Sequence, residues 1–305
     1  METGELGLIF IFLNLCKLVY FRVGNEYMIM EKIILVPVGG LANRMRAVAS
    51  AVTLTYRVRR KLEVLWFRDW GLNAPFFKVF EEPELMNISF SETSCKHLLM
   101  YDRPRRRNFY LPRLFQKLLF EDCLYERDVR ALCYKESELE EWASQSGRLY
   151  IATCDQFVNY STNLLRSLFH PVASVCEEVE RRFCHFSKHT VGVHIRRADH
   201  TVAIRQSPLD LFFTQLDKES DMYDDLCIYL ATDSEEVKQQ LRNRYGSRVH
   251  TAETVSDRGS ISGIKDAVAD MYTLSRTQKI YGSSGSSFSE LAAQLGDIPL
   301  QILRV

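Results

Sequence analysis

The feature that most constrains the fold is a continuous apolar run, Ile33 to Val38, which ends at Gly39-Gly40. Most of its residues are β-branched, and such a run predicts a parallel strand that is buried on both faces. Apolar residues then recur at helical spacing, at Met45, Val48, Ala49, Val52 and Tyr56. Because Leu62 to Phe67 is a second apolar run, the segment predicts a β-α-β unit and the α/β class.

The same alternation returns in the second half of the chain. Further strands are predicted at Leu149–Ala152, Thr190–His194, Cys227–Ala231 and Lys279–Tyr281. Helices are predicted at Val268–Ser275 and at Phe288–Leu295. Two further helices are predicted after Ser207-Pro208 and after Asp233-Ser234, with helix caps at Ser207 and Ser234. A chain of 305 residues exceeds what one hydrophobic core usually holds. We therefore expect an α/β fold with two facing Rossmann-like domains, an N-terminal domain at 28–185 and a C-terminal domain at 186–305. Within the N-terminal domain, residues 73–145 show no regular pattern.

Composition narrows the function classes. Lys and Arg together number 39, as do Asp and Glu, so the formal net charge is zero and nucleic acid is an unfavourable partner. The eight cysteines are scattered, with no CxxC pair and no Cys/His ligand spacing. We interpret them as reduced, buried thiols, which favours a cytoplasmic protein. A lumenal protein with disulfides is the alternative.

The N-terminal extension, residues 1–27, allows two interpretations. Leu6 to Phe21 is apolar but contains Asn14 and Lys17, and it is short for a membrane span of about 20 residues. We favour a start at Met28 or Met30, because the first strand follows directly. A membrane anchor formed by the apolar segment is the alternative.

Four predicted strands end in polar or glycine-rich turns, and ligands bind beyond such strand ends in open α/β sheets. The turns are Gly39-Gly40-Leu-Ala-Asn43-Arg44, His194-Ile-Arg196-Arg197-Ala-Asp199, Thr232-Asp233 and Gly282 to Ser287. The guanidinium groups of Arg196 and Arg197 suit phosphate oxygens. The serine-rich turn opens a helix, whose first N–H groups and positive dipole end form an anion site. Together these two turns predict a diphosphate ligand.

Other ligand classes fit less well. The first turn is not GxGxxG, and Leu62–Phe67 is not followed by a suitable acidic residue until Asp69, so a dinucleotide oxidoreductase is disfavoured. Asp221 and Asp224-Asp225 lie in a polar stretch and are interpreted as solvated surface. The sequence therefore predicts no metal site and no cofactor.

A basic run, Arg103 to Arg107, lies beside Tyr101, Phe109, Tyr110 and Phe115. One interpretation is a solvated surface loop. The other is an acceptor site or a peripheral membrane contact near the cleft.

His194-Ile-Arg196-Arg197-Ala-Asp199 resembles the HxRRxD motif of bacterial α-1,2-fucosyltransferases, nodulation fucosyltransferases and animal core α-1,6-fucosyltransferases. Three further segments agree with that family in order and spacing: the turn at Gly39, the stretch from Asp155-Gln156 through Pro171, and the stretch from Asp270 to Ser289. The resemblance covers about residues 33–305. It departs from the family pattern at Ala42-Asn43-Arg44, so the acceptor and the linkage stay open.

The resemblance implies a GT-B-type glycosyltransferase that binds GDP-fucose in its C-terminal half and transfers fucose with inversion and without a metal. Arg196 would hold the β-phosphate, assisted by Arg197 and by the turn at Ser286 and Ser287. Asp199 is the candidate general base or a partner of Arg197. The implied guanine contacts are His194 and Asp270, the further donor-binding residues are Asp233 and Phe288, and the N-terminal side of the cleft holds Gly39, Gly40, Asn43 and Gln156.

The implied acceptor is an oligosaccharide or a lipid-linked glycan. Two alternatives remain at this point. One is a glycosyltransferase that uses another nucleotide sugar, and the other is a non-catalytic protein that binds a nucleotide sugar or a glycan.

Overall fold

The computed structural model describes residues 31–93, 95–197, 201–253 and 257–305. The predicted extension at 1–27, with its apolar segment, and the candidate general base Asp199 lie outside these ranges. No helix within them is long and apolar enough to cross a membrane.

The first half of the chain forms a parallel five-stranded sheet in the order β3-β2-β1-β5-β4. Its strands are β1 (Lys32–Pro37), β2 (Lys61–Trp66), β3 (Ile88–Glu92), β4 (Asp122–Tyr125) and β5 (Leu149–Thr153). The helices of this half are α1 (Leu41–Arg57), α2 (Cys95–Met100), α3 (Pro112–Leu119), α4 (Glu126–Leu132), α5 (Glu136–Ala143), α6 (Thr162–Leu168) and α7 (Ala173–Phe183). Strand β1 is buried along nearly its whole length, as its apolar run predicts.

The second half forms another parallel five-stranded sheet, in the order β10-β9-β6-β7-β8. Its strands are β6 (His189–Ile195), β7 (Leu226–Thr232), β8 (Val249–Thr251), β9 (Ile280–Ser283) and β10 (Leu300–Leu303). Its helices are α8 (Thr201–Gln206), α9 (Leu209–Met222), α10 (Glu235–Tyr245), α11 (Ile261–Leu274) and α12 (Ser287–Gly296). Two parallel-sheet α/β halves are thus present, and the predicted fold class is confirmed.

The segment at 73–145 is more regular than its sequence suggests. It contains the two edge strands of the first sheet, β3 and β4, and the short helices α2 to α5. An edge strand is only partly covered, so it needs no continuous apolar run, and the residues of β3 are all half-buried or exposed. Such strands give a weak pattern in the sequence.

Helices α7 and α12 each pack against a helix of the opposite half. Helix α7 lies before the predicted boundary at residue 185, yet it packs against α11 of the second half. Helix α12 packs against α1 of the first half, where Arg46 Nη2 lies 2.5 Å from Glu290 Oε2. The Arg166 Nε on α6 also donates to the Leu295 carbonyl at 2.8 Å. These contacts bring the N-terminal ends of α1 and α12 to the same cleft.

The helix cap predicted at Ser207 is wrong. Helix α9 begins after Pro208 without a side-chain cap, and the Ser207 hydroxyl instead accepts a hydrogen bond from the Ser284 amide at 2.8 Å. Ser207 therefore braces the turn after β9. The cap predicted at Ser234 is present, since its hydroxyl accepts from the Val237 amide.

Candidate functional site

A cavity lies between the carboxyl ends of the two sheets, where open α/β sheets bind ligands. The first half contributes Gly40, Leu41, Ala42, Asn43 and Gly71 to its lining. The second half contributes His194, Arg196, Thr232, Asp233, Asp257, Arg258, Gly263, Asp270, Ser287 and Phe288, among others. Most of the site residues predicted from the sequence thus meet in one place.

The N-terminal ends of α1 and α12 both face this cavity, through Leu41 and Ser287. Neither helix has a side-chain cap: α1 follows Gly40, and the hydroxyl of Ser286 before α12 lies 3.2 Å from His194 Nδ1 instead. The first N–H groups of a helix lack partners within it, and its dipole is positive at that end. The cavity is therefore suited to an anion.

The turn after β1 is held by Arg44, whose role the sequence analysis missed. Gly39 has a φ of +85°, which favours glycine, and its carbonyl accepts from Arg44 Nε at 2.8 Å. The fully buried guanidinium also donates to the Phe67 carbonyl and, at 2.8 Å, to Asp69 Oδ1. Burial lowers the pKa of Arg44 to about 10, so it stays charged at neutral pH. Arg44 thus fixes the conformation of the turn from inside the protein. Gly39 belongs to this turn but is not among the residues that line the cavity.

His194 is a neutral wall of the cavity. Its ring stacks on Phe288 with centroids 4.8 Å apart. Burial and, to a smaller extent, the nearby Arg196 charge lower the pKa of His194 to about 3. The imidazole is therefore unprotonated at neutral pH, and it can offer a ligand hydrogen bonds without a second positive charge beside Arg196.

The two arginines of the motif have different surroundings. Arg196 lines the cavity, and its backbone amide donates to Ser283 Oγ at 3.2 Å. The Arg197 guanidinium instead donates to two carbonyls of the main chain, that of Arg196 at 3.1 Å and that of Ser207 at 2.8 Å. Its amide donates to Asp233 Oδ1 at 2.6 Å. Arg197 therefore braces the turn that carries Arg196.

Asp270 belongs to a buried network that the sequence did not indicate. Its Oδ1 accepts from Arg182 Nη1 and from the Tyr229 hydroxyl, both at 2.6 Å. Arg182 also donates to Glu178 at 2.6 Å and to Asp266 at 2.9 Å. Burial raises the pKa of Asp270, and the Arg182 charge opposes that rise. Both of the bonds to Asp270 end on Oδ1, which leaves Oδ2 for a ligand in the cavity.

Gln156, predicted on the N-terminal side of the cleft, does not line the cavity. It lies beyond β5, where its backbone carbonyl accepts from the Cys133 thiol at 3.5 Å. Within the described ranges, no group of three or more His, Cys, Asp or Glu residues could hold a metal ion. The absence of a metal site and of a cofactor stays a prediction.

The fold is similar to that of solved fucosyltransferase structures. NodZ α-1,6-fucosyltransferase, from Bradyrhizobium, soaked with GDP-fucose, matches with a TM-score of 0.60 and 18% identity over 87% of this chain and 92% of that one. A mutant of Arabidopsis thaliana FUT1 in complex with GDP matches with a TM-score of 0.64 and 18% identity, over 90% and 70% of the two chains. POFUT1 in complex with GDP-fucose matches with a TM-score of 0.52 and 9% identity, over 92% and 99%.

No family model matches the sequence, and no curated protein matches it either. At identities this low, the similarity establishes a shared fold of two parallel-sheet halves. The roles of the residues at the cleft therefore rest on the geometry of this chain.

Proposed function

We propose that the chain is a glycosyltransferase that transfers fucose from GDP-fucose to a glycan hydroxyl. One observation carries the proposal: a cationic side chain, two uncapped helix N-termini and a buried carboxylate converge on one cavity between the sheets. The first two suit a diphosphate, and the carboxylate suits a base that donates hydrogen bonds. The solved structures with this fold that hold GDP or GDP-fucose support the same ligand.

Asp270 would select guanine. Its carboxylate can accept from the N1–H and the exocyclic amine of guanine, which adenine and uracil do not present together. Arg182 and Tyr229 hold the carboxylate in position through Oδ1. Neutral His194 would contact the same base, with its ring kept in place by Phe288 and Ser286.

Arg196 would stabilise the departing GDP. As the bond to fucose breaks, negative charge grows on the diphosphate, and fixed donors that face this charge lower the barrier. Arg196 and the N-terminus of α12 can supply such donors without a metal ion. The acceptor hydroxyl would attack from the side of the first half, which gives inversion. The general base stays unassigned, because Asp199 lies outside the described residues.

The donor must extend beyond the cavity itself. At about 160 Å³ the cavity is smaller than the roughly 300–1,000 Å³ of typical ligand pockets. The fucose end would therefore extend out of the cavity on the side of the first half, past Gly40 and Asn43 of its lining.

The acceptor in this proposal is an oligosaccharide or a lipid-linked glycan. Helix α3 and the turn before it expose Phe109, Leu114 and Leu118, with exposed fractions of 83%, 63% and 68%. Arg113 and Lys117 lie on the same helix. Exposed apolar side chains flanked by basic ones suit the surface of an anionic membrane, so we propose a cytoplasmic enzyme with a peripheral membrane contact here.

The first experiment is a thermal-shift screen of GDP, UDP and ADP, followed by GDP release from GDP-fucose in the presence of glycan acceptors. A ligand at about 100 times its dissociation constant should stabilise the protein by roughly 2.7 kcal/mol. We expect GDP alone to do so, and GDP-fucose to be turned over. A preference for UDP or ADP would contradict the guanine assignment, and GDP-fucose binding without turnover would contradict the enzymatic role.

A further inference from the structure

A second cavity, of about 490 Å³, lies in the first half of the molecule and is lined by arginines. We call it the arginine pocket and define it by Arg103, Arg105, Arg106, Arg127 and Arg130. Among the described residues, Glu126 is the one acidic residue of its lining, which also includes Tyr110 and Tyr125. Strands β4 and β5 end at this pocket, through Tyr125 and Ala152. It therefore lies on the same edge of the first sheet that faces the donor cavity.

Three of the five arginines already have acidic partners. Arg103 Nη1 forms an ion pair with Glu126 at 2.5 Å, and Arg105 Nη2 forms one with Asp102 at 2.8 Å. The third pair joins Arg130 Nε to Asp155 at 2.9 Å. Arg106 and Arg127 are exposed and make no ion pair within the described ranges. The Nε atoms of Arg103 and Arg105 are buried, and no atom of the described structure accepts from them.

The arginine pocket is adjacent to the donor cavity. A Cβ added at Gly39 would lie 3.4 Å from Cys154 Cβ, so the turn after β1 contacts the end of β5. Arg130 continues this contact, because its Nη2 lies 3.8 Å from Cys154 Sγ. An acceptor glycan that reaches the fucose end of the donor could thus extend into the arginine pocket.

We propose that the arginine pocket binds the phosphate of a phosphorylated glycan, which makes the acceptor a sugar phosphate or diphosphate; this rests on the proposed function. Arg103, Arg105 and Arg130 have carboxylate partners, whereas Arg106 and Arg127 add two positive charges that no ion pair within the described ranges offsets. Guanidinium groups bind phosphate through paired N–H donors. The exposed ring of Tyr110 provides an apolar face for the neighbouring sugar. An oligosaccharide without charge has no anionic group that could pair with these guanidinium groups.

The test is calorimetric titration of the full chain, saturated with GDP, with N-acetylglucosamine 1-phosphate and, separately, with N-acetylglucosamine. GDP occupies the donor cavity, so the signal reports a second site. We expect the sugar phosphate to bind and the neutral sugar not to bind. The double variant Arg106→Gln with Arg127→Gln should weaken binding of the sugar phosphate about tenfold or more, because it removes two charge-assisted donors. The double variant keeps the ion pairs of Arg103, Arg105 and Arg130, so the segment that carries these arginines should stay folded.

Arg242→Gln is the matched control, since Arg242 is an exposed arginine on α10 in the other half. It should leave the affinity for the sugar phosphate unchanged. Equal binding by the wild type and the double variant, or equal binding of the neutral sugar, would overturn the inference. The affinity for GDP is measured first in the same buffer. If the wild type fails to bind GDP, the proposed function fails, whereas normal GDP binding with no effect of the two arginines refutes this inference alone.

Discussion

The carboxyl edges of the two sheets differ in how their charged groups are held. In the second sheet, hydrogen bonds support the groups at the cleft. Asp270 is held by buried bonds from Arg182 and Tyr229, and the turn of Arg196 by a partly buried bond from Arg197. At the first sheet, Arg44 is buried under the turn, and the arginine pocket stays open to solvent. Preorganised charges need little rearrangement when charge develops on a ligand. Under the proposed function, the second edge would stabilise the leaving group, and the first edge would bind the phosphorylated acceptor.

The largest expected effect concerns stability at the first edge. Arg44→Met should lower the free energy of unfolding by about 3–5 kcal/mol, because Asp69 loses its buried partner. Denaturant titration measures this change. Arg57→Met is the control on the same helix: its pairs with Glu136 and Glu140 lie at the surface, where such pairs contribute about 0.2–1 kcal/mol. Equal losses for both variants would show that burial of Arg44 does not matter.

The next effect concerns turnover at the second edge. Arg196→Ala should reduce kcat by about 10²–10³, the usual cost of losing one preorganised donor to a developing anion. Arg196→Lys should recover little, because an ammonium group cannot bind in a bidentate way. Steady-state kinetics with GDP-fucose measures both variants, and circular dichroism confirms the fold.

Arg197→Lys is the companion variant, and it should affect stability more than kcat, because the Arg197 guanidinium bonds only carbonyls of the main chain in the described structure. A folded Arg196→Ala protein with near-normal kcat would refute the proposed mechanism.

A smaller effect separates recognition of the base from folding. Asp270→Asn and Tyr229→Phe each disrupt the same buried network, so each should cost about 1–3 kcal/mol of stability. Asp270→Asn should weaken GDP binding much more than Tyr229→Phe, because Tyr229 acts only through Asp270 and does not line the cavity. Calorimetry with GDP on both variants gives the comparison. Equal losses of affinity would assign Asp270 to the network alone.

His194 should make stability depend on pH. Its pKa is about 3 in the folded protein, lowered by burial, and about 6.5 when unfolded. Between these values the unfolded state binds the additional proton, so stability falls as the pH falls, by up to about 1.4 kcal/mol per pH unit. Above about pH 6.5 the imidazole is neutral in both the folded and the unfolded state, so this loss of stability is absent. Urea titrations at several pH values should show a shallower dependence for His194→Gln, and parallel curves would contradict the burial argument.

The smallest expected effect is that of EDTA. The sequence places no pair of acids at a strand end where they could bridge a diphosphate through Mg²⁺, and Arg196 is expected to take that role. Activity should be unchanged after chelation. If activity is lost and Mn²⁺ or Mg²⁺ restores it, a metal-binding acid at the second edge has been missed.

The strands show which parts of the fold a sequence pattern can predict. Six strands were expected, and they are the six inner strands, β1, β2, β5, β6, β7 and β9. The four edge strands were not expected. An inner strand of a parallel sheet is covered on both faces and must be apolar throughout, whereas an edge strand such as β4 is covered only in part. The more completely a strand is buried, the more clearly its apolar pattern predicts it.

The candidate site divides in a similar way. Residues within one strand-end turn, such as His194 and Arg196, were predicted together because adjacency in the chain brings them to the cleft. The pairing of Asp270 with Arg182 joins residues that lie 88 positions apart. Gln156 lies outside the lining of the cavity, and the direction of the chain after a strand cannot be derived from its apolar pattern.

The sequence by itself determined the fold class, the inner strands and the polar turns that follow them, because burial and backbone geometry impose local patterns on residue type. The tertiary structure alone decided which charges are braced and which are left for a ligand. Arg44, Arg182, Arg196 and the arginines of the pocket are the same residue type in the sequence. Their burial and their partners come from distant segments, so only the folded chain distinguishes a structural arginine from one that can bind a phosphate.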